Sequence, residues 1–122
     1  MSHSEKNKTI LIYGLNPTQR LTLSMLCNQA GINCRIITDK ETVMPISALL
    51  SGKELPKAEA YPVPGKFALL DGFDGQEQMA AGLINQVATG VIKAVHTKHN
   101  TDWRFCDLCS AIALEHRTMS GN

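Results

Sequence analysis

The chain has 122 residues, and its 12 Lys and Arg nearly balance its 11 Asp and Glu, for a formal charge of +1. This length is enough for one domain with its own core, so folding needs neither a metal nor a disulfide. A near-neutral chain lacks the electric field that concentrates nucleic acid or anionic lipid, so we expect no nucleic-acid partner. No apolar stretch approaches the roughly 20 residues that cross a bilayer, and the polar start MSHSEKNK is unlike a signal peptide. We therefore expect a cytoplasmic protein without a membrane partner.

The first strand and helix are predicted after a disordered polar tail at residues 1–8. TILIY at 9–13 is an apolar, β-branched run that is followed by a glycine. Asn16 is suited to cap the next helix, Pro17 suits the first helical position, and Gln19 stands where a capping box needs it. A helix is therefore predicted from this point to the next glycine.

The rest of the first half predicts a second strand, a short helix and a linker. CRIIT at 34–38 is a second apolar run, and MPISALLSG at 44–52 has the pattern of a short helix. The segment 53–65 contains three of the five prolines. Because proline interrupts both helices and sheets, we interpret this segment as a linker.

The second half repeats this pattern. FALLDGF at 67–73 predicts a strand, Asp74 and Glu77 have the spacing of a second cap, VIKAV at 91–95 predicts another strand, and a last helix runs to about Glu115.

Offsets between the halves indicate a repeat. An offset of 58 pairs Gly14 with Gly72, and an offset of 59 pairs Thr38 with Thr97. We interpret the chain as two diverged copies of one β-α-β-α unit of about 60 residues. The predicted organisation is a single α/β domain at 9–117, with halves 9–52 and 66–117 joined by the linker 53–65, and a tail at 118–122.

The strands predict the fold class. All four are apolar on both faces, which is typical of a sheet covered on both sides. We expect an α/β three-layer sandwich whose four-stranded, mostly parallel sheet has the order 2-1-3-4 and is built from the duplicated unit. The alternative is a ferredoxin-like β-α-β-β-α-β sheet with extra helices, although its short hairpin fits the long linker poorly.

The two glycine loops form a candidate ligand crevice in the parallel sheet. They would lie side by side at the carboxyl ends of adjacent central strands, where open α/β sheets bind ligands. Neither loop matches a nucleotide-binding motif. Two carboxylates in the second loop have the chemistry to hold a divalent ion, although one of them, Asp74, is also explained as a plain helix cap. The crevice candidates are Tyr13, Gly14, Asn16, Asp71, Gly72 and Asp74.

The segment HTKHNTDWRFCDLC at 96–109 has the residue types of a zinc site. Its candidate ligands are His96, His99, Cys106 and Cys109. Structural CxxC zinc pairs usually lie on turns, whereas this pair falls inside a predicted helix. Cys109 corresponds to Leu50 on the stripe that faces the core, and Cys106 lies at the edge of that stripe. We therefore favour one core thiol and one surface thiol, and we predict no cofactor.

A wider spacing of residues carries a resemblance. Its members are Tyr13-Gly14, Gly72-Phe73, Thr97, Asn100, Trp103, Leu108 and Glu115-His116. From about residue 9 to 117 the chain resembles a family of small bacterial and archaeal proteins catalogued only as a domain of unknown function. The resemblance implies no activity, cofactor or catalytic residue, and the cysteines do not belong to its pattern. From its amphipathic context we interpret Trp103 as a lid over the core, like Met44 at the corresponding position.

Three functional hypotheses follow. We favour a non-catalytic cytoplasmic module that binds a protein partner or forms a homo-oligomer, because apolar residues lie on both sides of the first helix. No Ser or Cys nucleophile with an obvious His and acid can be picked out. The alternatives are a small-ligand or divalent-metal-dependent enzyme that uses the crevice, and a zinc-binding protein.

Overall fold

The computed structural model describes residues 7–54 and 57–119. The elements are β1 Thr9–Tyr13, α1 Pro17–Gln29, β2 Asn33–Ile36, a 3-10 helix Glu41–Val43, α2 Ile46–Leu50, β3 Lys66–Asp71, α3 Glu77–Val87, β4 Val91–Val95 and α4 Phe105–Met119. All predicted strands and helices are present. Most of the predicted tail at 1–8 lies outside the described residues, as do residues 120–122, and α4 extends into the tail predicted from residue 118.

The four strands form one sheet in the order β2-β1-β3-β4, which confirms the predicted order. The sheet is mostly parallel, because β1 pairs with β2 and β3 pairs with β4 in parallel. The central pair, β1 and β3, is antiparallel. The crevice depended on parallel central strands, so that part of the prediction is wrong. The ferredoxin-like alternative is not formed either, since β2 and β3 are not neighbours.

The linker explains the direction of β3. The Tyr61 amide donates to the Asp39 carbonyl at 2.8 Å, and the Thr42 hydroxyl donates to the Tyr61 carbonyl at 2.7 Å. Two residues later, the Val63 amide donates to the Tyr13 hydroxyl at 2.9 Å. These bonds hold the linker at the carboxyl end of β1 and β2. Strand β3 consequently enters the sheet from that end and runs back along β1.

Helices cover both faces of the sheet, as the predicted three-layer sandwich requires. On one face, Leu23 and Cys27 of α1 pack with Ala80 and Ile84 of α3 against the strands. On the other face, α2 and α4 enclose a second core around Phe105. The central strands β1 and β3 are buried on both faces along nearly their whole length.

Some residues that correspond between the two halves of the sequence lie opposite each other in the structure. Leu11 lies opposite Leu69, its own counterpart at an offset of 58, on the central antiparallel pair. The β1–β2 register is repeated in the β3–β4 register. An isolated bridge joins Pro45 to Arg104, which are counterparts at an offset of 59. The arrangement therefore has a local pseudo-twofold relation between its halves, and its origin by duplication stays a prediction.

The two long helices on the first face begin differently. At α1 the predicted capping box is confirmed: the Asn16 side chain accepts from the Gln19 amide at 2.8 Å, and the Gln19 side chain accepts from the Asn16 amide at 3.1 Å. The predicted cap at Asp74 is wrong. This residue lies at φ 49°, in a turn that delays the start of α3 until Glu77, after Gln76, which makes no side-chain capping bond.

Candidate functional site

The two glycine loops lie at opposite ends of the sheet. Gly14 follows β1 and Gly72 follows β3, and these strands run antiparallel, with Thr9 opposite Asp71. The predicted joint crevice is therefore not formed. Its candidates separate into two groups, namely Tyr13, Gly14 and Asn16 at one end and Asp71, Gly72 and Asp74 at the other.

Close packing of the backbone accounts for both glycines. Gly14 has φ 94°, and a Cβ there would collide with the carbonyl oxygen of Gly65 just before β3. Gly72 has φ 82°, and a Cβ would lie 2.6 Å from the carbonyl oxygen of Asn7 just before β1. Both positions need a left-handed backbone and room for a neighbouring chain, which only glycine supplies at low cost. These glycines are thus explained without a ligand.

A cleft of about 570 Å³ lies beside the first loop. Its walls include Tyr13, Arg20, Thr38, Asp39 and Val63. The Tyr13 hydroxyl donates to Asp39 Oδ1 at 2.6 Å and accepts from the Val63 amide. Burial, with a smaller contribution from the bond to Asp39, raises the pKa of Tyr13, so the phenol stays protonated at neutral pH. It acts here as a tie between β1, the loop after β2 and the linker.

A chain of three side chains lies at the opposite end of the sheet. His96 Nδ1 is 2.9 Å from Asp71 Oδ1, and His96 Nε2 is 2.8 Å from Thr101 Oγ1. Because a carboxylate only accepts hydrogen bonds, Nδ1 carries the proton. When the ring is uncharged, Nε2 accepts from the Thr101 hydroxyl, and when the ring is protonated, Nε2 donates to Thr101 Oγ1. The side chains of His96 and Asp71 are 24% and 26% exposed, so the chain is open to solvent on one side.

The turn that carries Thr101 is built by two residues of the family-like motif. The Thr97 amide donates to Asn100 Oδ1 at 2.9 Å, and Asn100 Nδ2 donates to the Val95 carbonyl at 3.1 Å. Asn100 is buried, so these bonds satisfy both ends of its amide. In the first half, Glu41 accepts from the Thr38 amide in the same way at 2.9 Å. The observed role of Asn100 is therefore to shape this turn.

The other motif residues lie elsewhere. Trp103 is 42% exposed, so its interpretation as a core lid is wrong, whereas Met44 at the corresponding position is buried. Phe105 fills the core instead and contacts the Tyr13 ring edge-on. Trp103 lines a cleft of about 460 Å³ with Asp102, Arg104, Asp107 and Ala111. Glu115 and His116 line a separate cleft of about 260 Å³ with Ile92, Lys93, Ala94 and Ile112.

The proposed zinc ligands are not brought together. Within residues 7–54 and 57–119, no three His, Cys, Asp or Glu side chains are arranged to hold a metal ion. Cys109 is a core residue, as predicted, and burial raises the pKa of its thiol to about 12. Cys106 is also buried, so its predicted surface position is wrong. The first turn of α4 has a wider buried face than the helical stripe indicates, because positions 105, 106, 108 and 109 are all buried.

Helices α1 and α3 present an outer surface without a fully exposed charged residue. Their two charged residues, Arg20 and Glu77, are half-buried. Leu21, Met25 and Met79 are 64%, 55% and 42% exposed. We call this the α1–α3 surface, and its exposed residues are Pro17, Thr18, Leu21, Thr22, Met25, Asn28, Gln29, Gln78, Met79, Gly82, Asn85 and Gln86.

Sequence reasoning missed Arg20, Asp39 and Thr101. Asp39 and Thr101 follow β2 and β4 in polar stretches without a recognisable motif. Thr101 meets His96 and Asp71 only because neighbouring parallel strands end together. The only feature of the sequence that indicated this site was Asn100, a residue of the motif spacing that lies directly before Thr101.

Comparison with known proteins adds no relative: no protein-family profile, curated protein or solved structure matches this chain. None of the helices within the described residues has the length and apolar character needed to cross a bilayer. The functional interpretation therefore depends on the geometry of the chain itself.

Proposed function

We propose that this protein is a cytoplasmic module that associates with a second copy of itself through the α1–α3 surface. The observation that carries the proposal is the absence of any fully exposed charged residue on these two helices, together with the exposure of Leu21, Met25 and Met79. Protein interfaces are depleted in charged residues and enriched in Met relative to the remaining surface. Solvent-facing helices usually carry charges on their outer side. The opposite layer follows that rule, since α4 exposes Asp107 and Glu115.

A second copy suits this surface better than a charged partner. A twofold dimer places the same surface against itself, so exposed charges of one sign would lie against charges of the same sign and repel them. The α1–α3 surface has no exposed charged residue, so this repulsion does not arise. Helices α1 and α3 pack side by side, and they provide two ridges for the helices of the second copy. A nucleic acid or an anionic membrane would need exposed Lys or Arg, which this surface lacks.

The test is the mass of the protein in solution at increasing concentration, measured by light scattering or sedimentation. We expect a dimer for the wild type and a monomer for the double variant Leu21→Lys, Met25→Lys, because two desolvated ammonium groups would oppose association. Leu114→Lys is the matched control, since Leu114 is 58% exposed on α4 in the opposite layer. It should leave the mass unchanged. A wild type that stays monomeric at its highest soluble concentration, or a double variant that still dimerises, contradicts the proposal.

We also infer that the two halves arose by duplication of one β-α-β-α unit. The support is the pairing of counterparts, with Leu11 opposite Leu69 and Pro45 bridged to Arg104. Membership in the uncharacterised bacterial and archaeal family stays a proposal that rests on the motif spacing.

A further inference from the structure

We propose that Asp71, His96 and Thr101 form an esterase site in which the Thr101 hydroxyl attacks carboxylic esters. This activity goes beyond self-association. It uses different residues, because none of the three belongs to the α1–α3 surface. The support is geometric, since Thr101 Oγ1 lies 2.8 Å from His96 Nε2 and His96 Nδ1 lies 2.9 Å from Asp71 Oδ1. Nucleophile, base and orienting carboxylate are connected in the order that acyl transfer requires.

Each residue has a distinct role. Thr101 is the nucleophile, because its hydroxyl oxygen lies 2.8 Å from the histidine nitrogen that would take its proton. His96 is the general base, since Nε2 carries the lone pair when the ring is neutral and protonated at Nδ1. Asp71 is a positioning residue: it holds the Nδ1 proton and thereby fixes the tautomer that leaves Nε2 basic. Partial exposure of His96 and Asp71 leaves the site reachable from solvent.

The same turn offers groups for the developing oxyanion. The backbone N–H groups of Thr101 and Asp102 have no hydrogen-bond acceptor within the described residues. The amide of the nucleophile is a usual donor to the oxyanion in acyl-transfer sites. The turn itself is held in place by Asn100 and by the Ser47 amide, which donates to the Thr101 carbonyl at 2.9 Å.

The neighbouring cleft indicates the substrate class. It has a volume of about 460 Å³, and its lining includes Asp102, the residue that follows the nucleophile in the chain, and the exposed Trp103. An aromatic or apolar group on the ester would lie against this indole. Aryl esters of short carboxylic acids are therefore the expected substrates.

The reaction proceeds in two balanced steps. Thr101 Oγ1 forms a bond to the ester carbonyl carbon while its proton passes to His96 Nε2. The bond from that carbon to the leaving oxygen then breaks, and the departing alcohol takes the proton, which leaves the acyl group on Thr101. Water next transfers a proton to Nε2 and attacks the acyl carbon. The Thr101 oxygen departs with that proton, and a carboxylic acid is released.

The experiment is hydrolysis of p-nitrophenyl acetate by the full chain, with acid-quenched samples examined by peptide mass spectrometry. We expect saturable kinetics and an acetyl group on Thr101. Thr101→Val and His96→Gln should each lower kcat/KM by about 100-fold or more. Thr101→Ser should retain activity. His99→Gln is the matched control for the background reaction of exposed imidazole, and it should behave as wild type, since His99 is exposed and lies outside the chain of bonds.

Further measurements keep structural effects apart from chemical ones. Asp71→Asn should lower kcat per folded molecule and change the shape of the pH profile of kcat/KM, whereas simple loss of folding only scales the rate by the folded fraction, with KM unchanged. The monomeric variant of the α1–α3 surface should keep the activity, so failure of self-association and failure of this proposal are distinguishable. A wild type without acetyl on Thr101 overturns the proposal, whatever the variants do. So does a loss of hydrolysis in His99→Gln equal to that in His96→Gln.

Discussion

The four thiols occupy environments that differ in water access and in their neighbours. Cys27, Cys106 and Cys109 are buried, and Cys34 on β2 is half-buried. Side-chain hydrogen bonding between Cys27 and Cys34 is the main reason why the pKa of Cys34 is lowered and that of Cys27 is raised. Burial raises the pKa of the two thiols on α4. Since the thiolate is the reactive form and a reagent must reach it, we expect Cys34, whose pKa is lowered and which alone of the four thiols is not buried, to react first.

We predict that Cys34 is alkylated first when the native protein is treated with iodoacetamide at neutral pH. A lowered pKa means that the thiolate persists to lower pH, so its labelling rate should fall only at a pH below that at which a free cysteine loses reactivity. Peptide mass spectrometry over a time course and a pH series measures both effects. In Cys34→Ser the fast phase should disappear. Earlier labelling of Cys106 or Cys109 would contradict the assigned environments.

At the scale of elements, the starts of α1 and α3 provide a matched pair. Asn16 makes both bonds of a capping box, whereas Gln76 at the start of α3 makes no side-chain capping bond. We predict that Asn16→Ala lowers the free energy of unfolding by about 1 kcal/mol, because the Gln19 amide loses its acceptor. Gln76→Ala should change it by less than about 0.5 kcal/mol. Urea denaturation measures both, and equal losses would show that the cap at α1 has no special effect.

What the sequence could predict at this scale was local. Hydrophobic runs predicted the strands, and the Asn16 cap predicted the start of α1. Apolar residues on both faces of the strands predicted helical layers on both sides of the sheet. The cap at Asp74 failed, because residue spacing does not reveal a backbone at φ 49°. The direction of β3 also failed. A long linker permits either direction, and the choice is made by tertiary hydrogen bonds of Tyr61 and Val63 that no local pattern encodes.

The same limit applies to the candidate sites. The joint glycine crevice needed parallel central strands, so one wrong direction removed it. The Asp71–His96–Thr101 chain needed the ends of β3 and β4 to meet, together with a turn shaped by Asn100. Cys109 was predictable, because its burial follows from helical spacing within α4 alone. Sites assembled from three separate segments are beyond such periodic patterns.

At the scale of the whole molecule, the central strand pair joins the two halves into one core. Leu11 and Leu69 lie opposite each other and are both fully buried. Both helical layers take part: α1 packs with α3 on one face, and on the other the bridge between Pro45 and Arg104 ties the segment before α2 to the start of α4. Neither half can bury its own central strand without the other. The repeated units are thus expected to unfold together.

We predict a single cooperative transition, in which the amides of β1 and β3 exchange with solvent only through global unfolding and with the same free energy. Native-state hydrogen exchange in increasing denaturant measures this directly. Leu11→Ala and Leu69→Ala, at counterpart positions, should each lower the free energy of unfolding by about 2–5 kcal/mol, the usual range for a fully buried leucine. Each variant should also reduce the protection of both strands equally, although it alters only one half. If β3 and β4 keep their protection after β1 and β2 have lost theirs, the halves are independent units and the shared core does not set the stability.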